Sequence, residues 1–253
     1  MLPRPLEQRN GIPFYHIKTE AEFRADPYED YSQMVTRQLD LHFGHEIYPW
    51  APIDEWLLDN IDLKNSSEEV LVEAGCGLGR QIATIAMKYD RVQAIGFDFS
   101  YQMLKPAKSI YCDGKEVAWL SQRGFGEQSL PAEVPIKNIQ FALANAQALP
   151  LSAESVDVLF SVFLFDRLAK PADVLNEWLR VIKKGGSLII VSPLNFQQVD
   201  AWNAWYPIQK VIDHIIGMNF QLLTHDSVLI REPLDVKGNA ISWTTECLQF
   251  FKW

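Results

Sequence analysis

The sequence predicts an α/β fold in which a mostly parallel sheet is flanked by helices. Three stretches predict it. Val70–Arg80 reads V-L-V-E-A-G-C-G-L-G-R: an apolar run closed by Glu73, glycines at 75, 77 and 79, then a helical run, Gln81–Lys88. An apolar strand, a tight glycine turn and a helix start form the first unit of a nucleotide-binding sheet. The helix start offers unpaired N–H groups to a polar ligand. Arg91–Asp98, R-V-Q-A-I-G-F-D, is a second buried strand ending in an acid. A carboxylate there can accept both ribose hydroxyls of a nucleoside. Val156–Phe163, V-D-V-L-F-S-V-F, is apolar at all but two positions and reads as a fully buried parallel strand.

Composition bounds the function. A chain of 253 residues that is 48% hydrophobic can bury a sizeable core. Eight Trp and fourteen Phe suggest an aromatic-lined pocket within that core. A formal charge of −9 argues against a nucleic-acid surface, which needs clustered Lys and Arg. No apolar run reaches the length of a membrane span, about 18 residues, and the N-terminus lacks the apolar stretch of a signal peptide. Three well-separated cysteines, Cys76, Cys112 and Cys247, fit a reducing cytoplasm without a disulfide framework. The expected setting is therefore cytoplasmic, with no nucleic-acid or membrane partner.

In chain order, residues 1–63 are expected to be an N-terminal arm and capping helices, and residues 64–253 the sheet domain. Residues 1–25, rich in Pro and charge, read as an extended arm or lid. Tyr28, Tyr31, Met34, Val35, Gln38 and Leu39 recur at helical spacing. His42 and His45 make an H-x-x-H pair with no third ligand nearby, so no metal is expected. Trp50–Leu63 reads as a helix and Lys64–Glu69 as a polar loop. Ser100 is an N-cap for a long helix with Met103 and Leu104 inward. Gly124–Pro135 reads as a loop rich in breakers. Asn138–Asn145 is the third strand. Pro171–Lys184 reads as a helix closed by Lys183-Lys184-Gly185-Gly186, and Ser187–Pro193 as the fifth strand. Val199–Gly217 reads as one helix carrying Trp202, Trp205 and Tyr206. Phe220–Arg231 and Trp243–Lys252 are alternating runs around Lys237-Gly238-Asn239, an antiparallel pair closing the sheet.

Four motifs resemble the class I S-adenosylmethionine-dependent methyltransferases over roughly residues 68–193. They are E-A-G-C-G-L-G, G-F-D-F-S, N-A-Q-A-L-P-L-S-A-E-S-V-D-V-L-F-S and L-N-E-W-L-R-V-I-K-K-G-G-S-L-I-I. The resemblance implies a Rossmann-like fold, a seven-stranded mostly parallel sheet with a C-terminal antiparallel hairpin. It implies S-adenosyl-L-methionine as cofactor, with S-adenosyl-L-homocysteine as product. The cofactor residues it implies are Glu73, Gly75, Cys76, Gly77, Gly79, Arg80, Asp98, Phe99, Met103, Asn145, Ala146 and Ser161. Of these, Glu73 would order the glycine loop, Asp98 would hold the ribose and Phe99 would lie on the adenine. Asn145 stands where the family usually has an acid; an amide can still accept from the adenine amino group.

Shorter stretches are similar to the C-terminal methyltransferase domain of ovothiol-synthesising enzymes: H-F-G at 42–44, F-D-R-L at 165–168, V-S-P at 191–193 and V-L-I-R-E at 228–232. That resemblance implies N-methylation of a small thiol-bearing histidine; in bifunctional members this domain follows an iron-dependent sulfoxide synthase that this sequence lacks, so a partner would supply the thiolated substrate, or the substrate differs. A homodimer is the other partner considered. Residues after the fourth strand lie where an acceptor should bind, at the topological switch. There Asp166 is the candidate base or ammonium ligand. Arg167 and Arg231 are candidates for a substrate carboxylate, which guanidinium pairs bidentately. Tyr31, His42, Phe165, Trp202, Trp205 and Tyr206 are candidate pocket walls.

Two rival readings differ in class. A nicotinamide dehydrogenase would need G-x-G-x-x-G, whereas these glycines alternate and Arg80 stands at the last position. A protein that binds the cofactor without methylating anything would keep the same motifs.

Overall fold

The structure, a computed structural model, describes residues 2–44, 48–121, 126–235 and 237–253. In chain order the elements are β1 (Glu7–Arg9), β2 (Ile12–Phe14), α1 (Glu20–Ala25), α2 (Thr36–Phe43), α3 (Ala51–Asn60), β3 (Val70–Ala74), α4 (Arg80–Lys88), β4 (Gln93–Asp98), α5 (Tyr101–Tyr111), β5 (Val117–Leu120), β6 (Glu127–Leu130), β7 (Ile139–Leu143), β8 (Val156–Val162), α6 (Pro171–Val181), β9 (Ile182–Ser192), α7 (Val199–Trp205), α8 (Gln209–Ile216), β10 (Phe220–Pro233) and β11 (Ala240–Lys252).

The sheet order is β1-β2-β7-β4-β3-β8-β9-β11-β10. Pairing is parallel from β2 to β9, and the long β10–β11 hairpin joins β9 antiparallel. The order turns between β3 and β8, so the crevice at that switch is where a ligand of an open α/β sheet sits. Seven strands, β7 to β10 in this order, match the expected sheet. The sheet has nine because β1 and β2 form a hairpin and β2 pairs with β7 through Phe14 and Leu143. Residues read as an extended arm thus carry an edge of the sheet.

Side-chain alternation sorts the core into two layers. Leu71, Val158 and Phe160 face a cluster with Ile53, Leu57, Ile82 and Ile85 from α3 and α4. Val72 and Leu159 face one with Trp178, Ile212 and Ile215 from α6 and α8. Under α2 a third cluster joins Val35 and Leu39 to Leu78, Met103 and Trp119. Buried Asp40 ties α2 to β5, accepting from Trp119 Nε1 at 2.7 Å and Ser121 Oγ at 2.9 Å.

Several boundaries differ from expectation. The helical run over 28–39 is a 3-10 turn, Pro27–Glu29, then a π turn, Tyr31–Val35, and only then α2. The helix expected to 184 stops at Val181, and Lys183–Gly186 belongs to β9, with a register shift against β8. The expected single helix over 199–217 is split at Pro207, which has no N–H to donate and separates α7 from α8. The loop expected over 124–135 contains β6, paired with β5 in a separate two-stranded sheet; its residues 124 and 125 lie outside the described residues, as does His45. No described helix is long and apolar enough to cross a membrane.

Candidate active site

The glycine turn after β3 meets the tip of β4. Asp98 accepts from the Gly77 N–H at 2.7 Å through Oδ2 and from the Ser100 N–H at 2.8 Å through Oδ1. Each oxygen keeps a second lone pair, enough for one hydroxyl apiece. Burial pushes the Asp98 carboxyl up to about 6 despite these two bonds. Gly75 and Cys76 both donate to the Phe97 carbonyl, at 2.8 and 2.9 Å, locking the turn against β4.

The three glycines have different jobs. A Cβ on Gly79 would meet Phe141 Cε1 at 2.4 Å, and one on Gly75 would meet Leu164 Cδ2 at 2.8 Å. These two are small because the protein itself packs on them. At Gly77, with φ +53°, the one neighbour within 4 Å is Met103 Cε at 3.2 Å. Gly77 therefore borders open space beside Asp98, a cradle that a side chain would fill. A backbone cradle next to an acid with two free lone pairs fits the ribose and methionine portions of S-adenosylmethionine.

The remaining residues implied by the resemblance are distributed around this cradle. Glu73 is buried and accepts from the Ile82 N–H at 3.1 Å, so it caps α4; burial holds its carboxyl well above the usual range. Cys76 faces the core beside Gly96, and burial raises its thiol well above the ordinary value. Arg80 opens α4 directly after Gly79. Its guanidinium donates to the His42 carbonyl and lies 3.6 Å from the Tyr48 ring centroid. Phe99 is half-buried, with Lys18 Nζ 4.3 Å from its centroid and the His16 ring at 5.2 Å. Asn145 Oδ1 accepts from the Gln147 N–H at 2.9 Å, which shapes the turn containing Ala146. Ser161 is buried and donates to the Ala74 carbonyl at 2.9 Å, joining β8 to β3.

On the acceptor side, Leu164 packs on Gly75, so the turn after β8 borders the glycine loop. Asp166 is fully buried. Its Oδ2 accepts from the Asn195 N–H at 3.0 Å, Oδ1 has no partner, and burial raises its pKa. It braces the chain after β9. Phe165 is equally buried, against Phe196 and Trp205 at 5.7 Å each. Arg167 is exposed, and like Arg37 it acts electrostatically on Tyr28, as Asp98 also does. Tyr31 lines a separate groove of about 710 Å³ beside α5. Trp202 stacks on Tyr206 at 4.5 Å, and both are exposed. Arg231 is exposed, on the opposite face of β10 from its neighbour Glu232, which is buried and 3.9 Å from Arg37.

His42 is brought into an aromatic group that sequence reasoning did not assemble. Its ring lies 4.5 Å from Trp50; Trp50 is 5.5 Å from Phe163, and Phe163 is 5.3 Å from Trp243. Burial, with the Arg80 charge nearby, pushes His42 down to about 3, so its ring is neutral. Phe163 adopts φ +58°, a conformation non-glycine residues hold mainly at sites where surrounding structure imposes it. Among the described residues, no group of three His, Cys, Asp or Glu side chains could hold a metal ion.

Residues 72–190 match a protein-family model described as a methyltransferase domain. They form a methyltransferase domain of class I, with S-adenosylmethionine as its cofactor. Similar curated proteins include a ubiquinone/menaquinone biosynthesis C-methyltransferase of Syntrophotalea carbinolica, 29% identical over 48% of this chain and 42% of that protein. A malonyl-[acyl-carrier protein] O-methyltransferase of Methylovorus is 27% identical over 54% of this chain and 41% of its own length. The chain thus spans less than half the length of these relatives. A chain from the Haloferax volcanii complex between the Trm112 methyltransferase activator and a methyltransferase has the same fold. Its TM-score is 0.60 at 13% identity, covering 90% of this chain and 99% of that one. The methyltransferase domain ends before β10 and begins after α3, so His42, Trp50, Glu232 and Trp243 all lie outside it.

Proposed function

We propose that the protein is a methyltransferase of a small acceptor, an imidazole or thiol-histidine derivative methylated on a ring nitrogen as in ovothiol-type chemistry. The observation that carries this reading is the contact of Leu164 with Gly75. It joins the cofactor cradle to a turn walled by Phe163, Trp50 and Trp243. The names of the two relatives cover C- and O-methylation, so the shared domain leaves the acceptor to the elements around it. Here those elements are aromatic and tightly packed, which supports a small flat acceptor over a long lipid or a bulky phenol.

When bound, S-adenosylmethionine supplies a methyl on a sulfonium: the acceptor's lone pair forms the new bond as the carbon–sulfur bond breaks and its pair returns to sulfur. The chain's residues then have three tasks. Asp98 and the Gly77 backbone fix the donor's position. The aromatic walls keep water from the reacting atoms. The turn after β8 holds the acceptor within the roughly 3 to 3.5 Å needed for in-line attack. A neutral imidazole has a free ring lone pair, so no residue has to remove a proton before attack. Afterwards the methylated ring passes its excess proton to solvent. Under this reading a separate enzyme installs the thiol.

The test is methylation with labelled cofactor of 5-mercaptohistidine, histidine and a histidine-derived thione, in parallel with a quinone, a phenol and a phospholipid. Label in the first group is the expected outcome. Label only in the second group overturns the acceptor class and keeps methyl transfer. Tight cofactor binding with no label anywhere overturns methyl transfer to either group.

A further inference from the structure

The groove of about 710 Å³ beside α5 is separate from the cofactor cradle: neither Gly77 nor Asp98 lines it. Sites for small organic ligands run from about 300 to 1,000 Å³, so its volume suits one. The sequence builds its charge locally. Lys105, Lys108 and Ser109 stand at i, i+3 and i+4 on α5, outside the buried stripe of Met103, Leu104 and Ala107. After the helix, Gly114 at φ +60° reverses the chain, and the Lys115 N–H donates to the Ser109 carbonyl at 2.8 Å. Lys115 is thereby folded back toward Lys108, and the two share Asp113, at 3.5 and 2.6 Å. The β1–β2 turn closes on the same side: a Cβ on Gly11 would meet Lys108 Cε at 2.9 Å. The chain carries 23 Lys and Arg against 32 Asp and Glu, yet here three lysines face only Asp113 and the exposed Glu116. Lys105 Nζ has no carboxylate within 4.0 Å among the described residues and lies 5.3 Å from the Tyr31 ring and 5.7 Å from the Tyr101 ring. Ring faces orient an ammonium without neutralising it. Ile12, Pro106 and Val117 are buried and line the same groove, which gives it an apolar bed.

We propose that this groove binds a small organic anion. Its carboxylate or phosphate pairs with Lys105 in the field of Lys108 and Lys115, and its apolar body lies on Ile12, Pro106 and Val117 beside the Tyr31 ring. An inorganic anion would cover the cation and leave the apolar bed in water. A neutral apolar molecule would cover the bed and strip water from Lys105 without replacing it. Only a ligand with both parts satisfies both halves of the groove. Such a ligand touches the β1–β2 hairpin and Tyr31 on one side, and α5 and β5 on the other. It therefore ties the N-terminal segment to the methyltransferase domain, residues 72–190. The site goes beyond the proposed function and does not depend on it, since no residue in it has a part in methyl transfer.

The test is calorimetric titration of the full chain saturated with S-adenosylhomocysteine, which keeps the probes out of the cradle. The probes are 2-naphthyl phosphate, 2-naphthoate, inorganic phosphate and 2-naphthol. At least one naphthyl anion should bind tenfold or more tightly than both inorganic phosphate and 2-naphthol, and the tighter of the two names the head group. Lys105→Met should weaken that anion about tenfold or more, the loss of one charge-assisted hydrogen bond, and leave 2-naphthol unchanged. Lys184→Met removes an exposed lysine on β9, outside the groove, and should change nothing. S-adenosylhomocysteine affinity at the wild-type value reports folding in each variant, and Lys105→Gln replaces Lys105→Met if that control fails. Inorganic phosphate binding as tightly as the naphthyl anions means an adventitious ion only and overturns the proposal. Equal binding of 2-naphthol means an apolar surface only and overturns it too. So does naphthyl-anion binding that survives Lys105→Met, or that falls as far in Lys184→Met. Absence of binding by both naphthyl anions also overturns it, whatever the protein methylates.

Discussion

At Asp98, two backbone amides already occupy one lone pair on each carboxylate oxygen. In the proposed role, the hydroxyls of a bound ribose would add to an acceptor whose position is fixed before binding. Asp98→Ala removes those acceptors and the tie between the Gly77 turn and β4. Charge-assisted hydrogen bonds are worth about 1.5 to 3 kcal/mol each, so calorimetry should show at least a tenfold loss of cofactor affinity. The same residue sets a pH dependence. Its carboxyl titrates at about 6 in the free protein. The ionised form accepts from the hydroxyls, so binding lowers that pKa and releases a proton. Affinity should therefore be level above pH 6 and fall up to tenfold per unit below it, a slope absent from Asp98→Asn. An unsloped wild-type profile between pH 5 and 6 would remove Asp98 from the ribose.

Among the elements, the glycine turn separates stability from binding within three residues. Gly77→Val puts a branched side chain in the open cradle at φ +53°, a left-handed strain of about 1 to 2 kcal/mol. Cofactor binding should be lost while the protein stays folded. Gly79→Val drives its Cβ toward Phe141 Cε1, 2.4 Å away, and adds strain at φ +74°. The expected cost is about 3 kcal/mol or more, seen as a lower denaturation midpoint. Comparable denaturation curves for the two variants would contradict this division. The sheet that holds the turn was legible because β3 and β8 are almost wholly buried and read as mostly apolar runs, interrupted by Glu73 in β3 and by Asp157 and Ser161 in β8. Other elements were misread for identifiable reasons. Asn10-Gly11, at φ +49° and +76°, is the turn of the β1–β2 hairpin, and N-G between short strands is a strong hairpin signal. The charged residues around it masked a strand of only three residues. Lys183–Gly186 resembles a helix end, yet the chain there has already turned into β9. Along β10, period-two parity puts Glu232 on the inward face with Ile230 and Arg231 on the outer one. No local pattern brings Trp50, Phe163 and Trp243 together, because each arrives on a different element.

At the scale of the molecule, the methyltransferase domain supplies the cofactor side, and under the proposed function the segments before and after it would cover the acceptor. The N-terminal segment also reaches the second strand's exit. Lys18 Nζ donates to Asp26 and Glu29 at 2.6 Å each, with all three side chains at most 10% exposed, while it lies on the Phe99 ring. Ser100 Oγ donates to the Tyr28 carbonyl at 2.8 Å, and the Tyr101 N–H donates to Glu29. Phe99, Ser100 and Tyr101 immediately follow Asp98, the acid proposed to hold the ribose, so under that proposal ordering of residues 16–31 and occupation of the cradle share contacts. Ligand binding to such a pair of elements raises the free energy of opening the covering segment. Backbone amides of residues 16–31 should therefore exchange hydrogen more slowly with S-adenosylhomocysteine bound, by at least tenfold at saturation, while amides of α6 and α8 keep their rates. Lys18→Met leaves Asp26 and Glu29 without their shared cation in a buried setting, where losing one partner of an ion pair costs about 3 kcal/mol. In that variant the segment should exchange quickly with or without product, and product affinity should fall as well. Slow, product-independent exchange over 16–31 in the wild-type protein would show that the segment is a fixed part of the sheet's edge and takes no part in holding the cofactor.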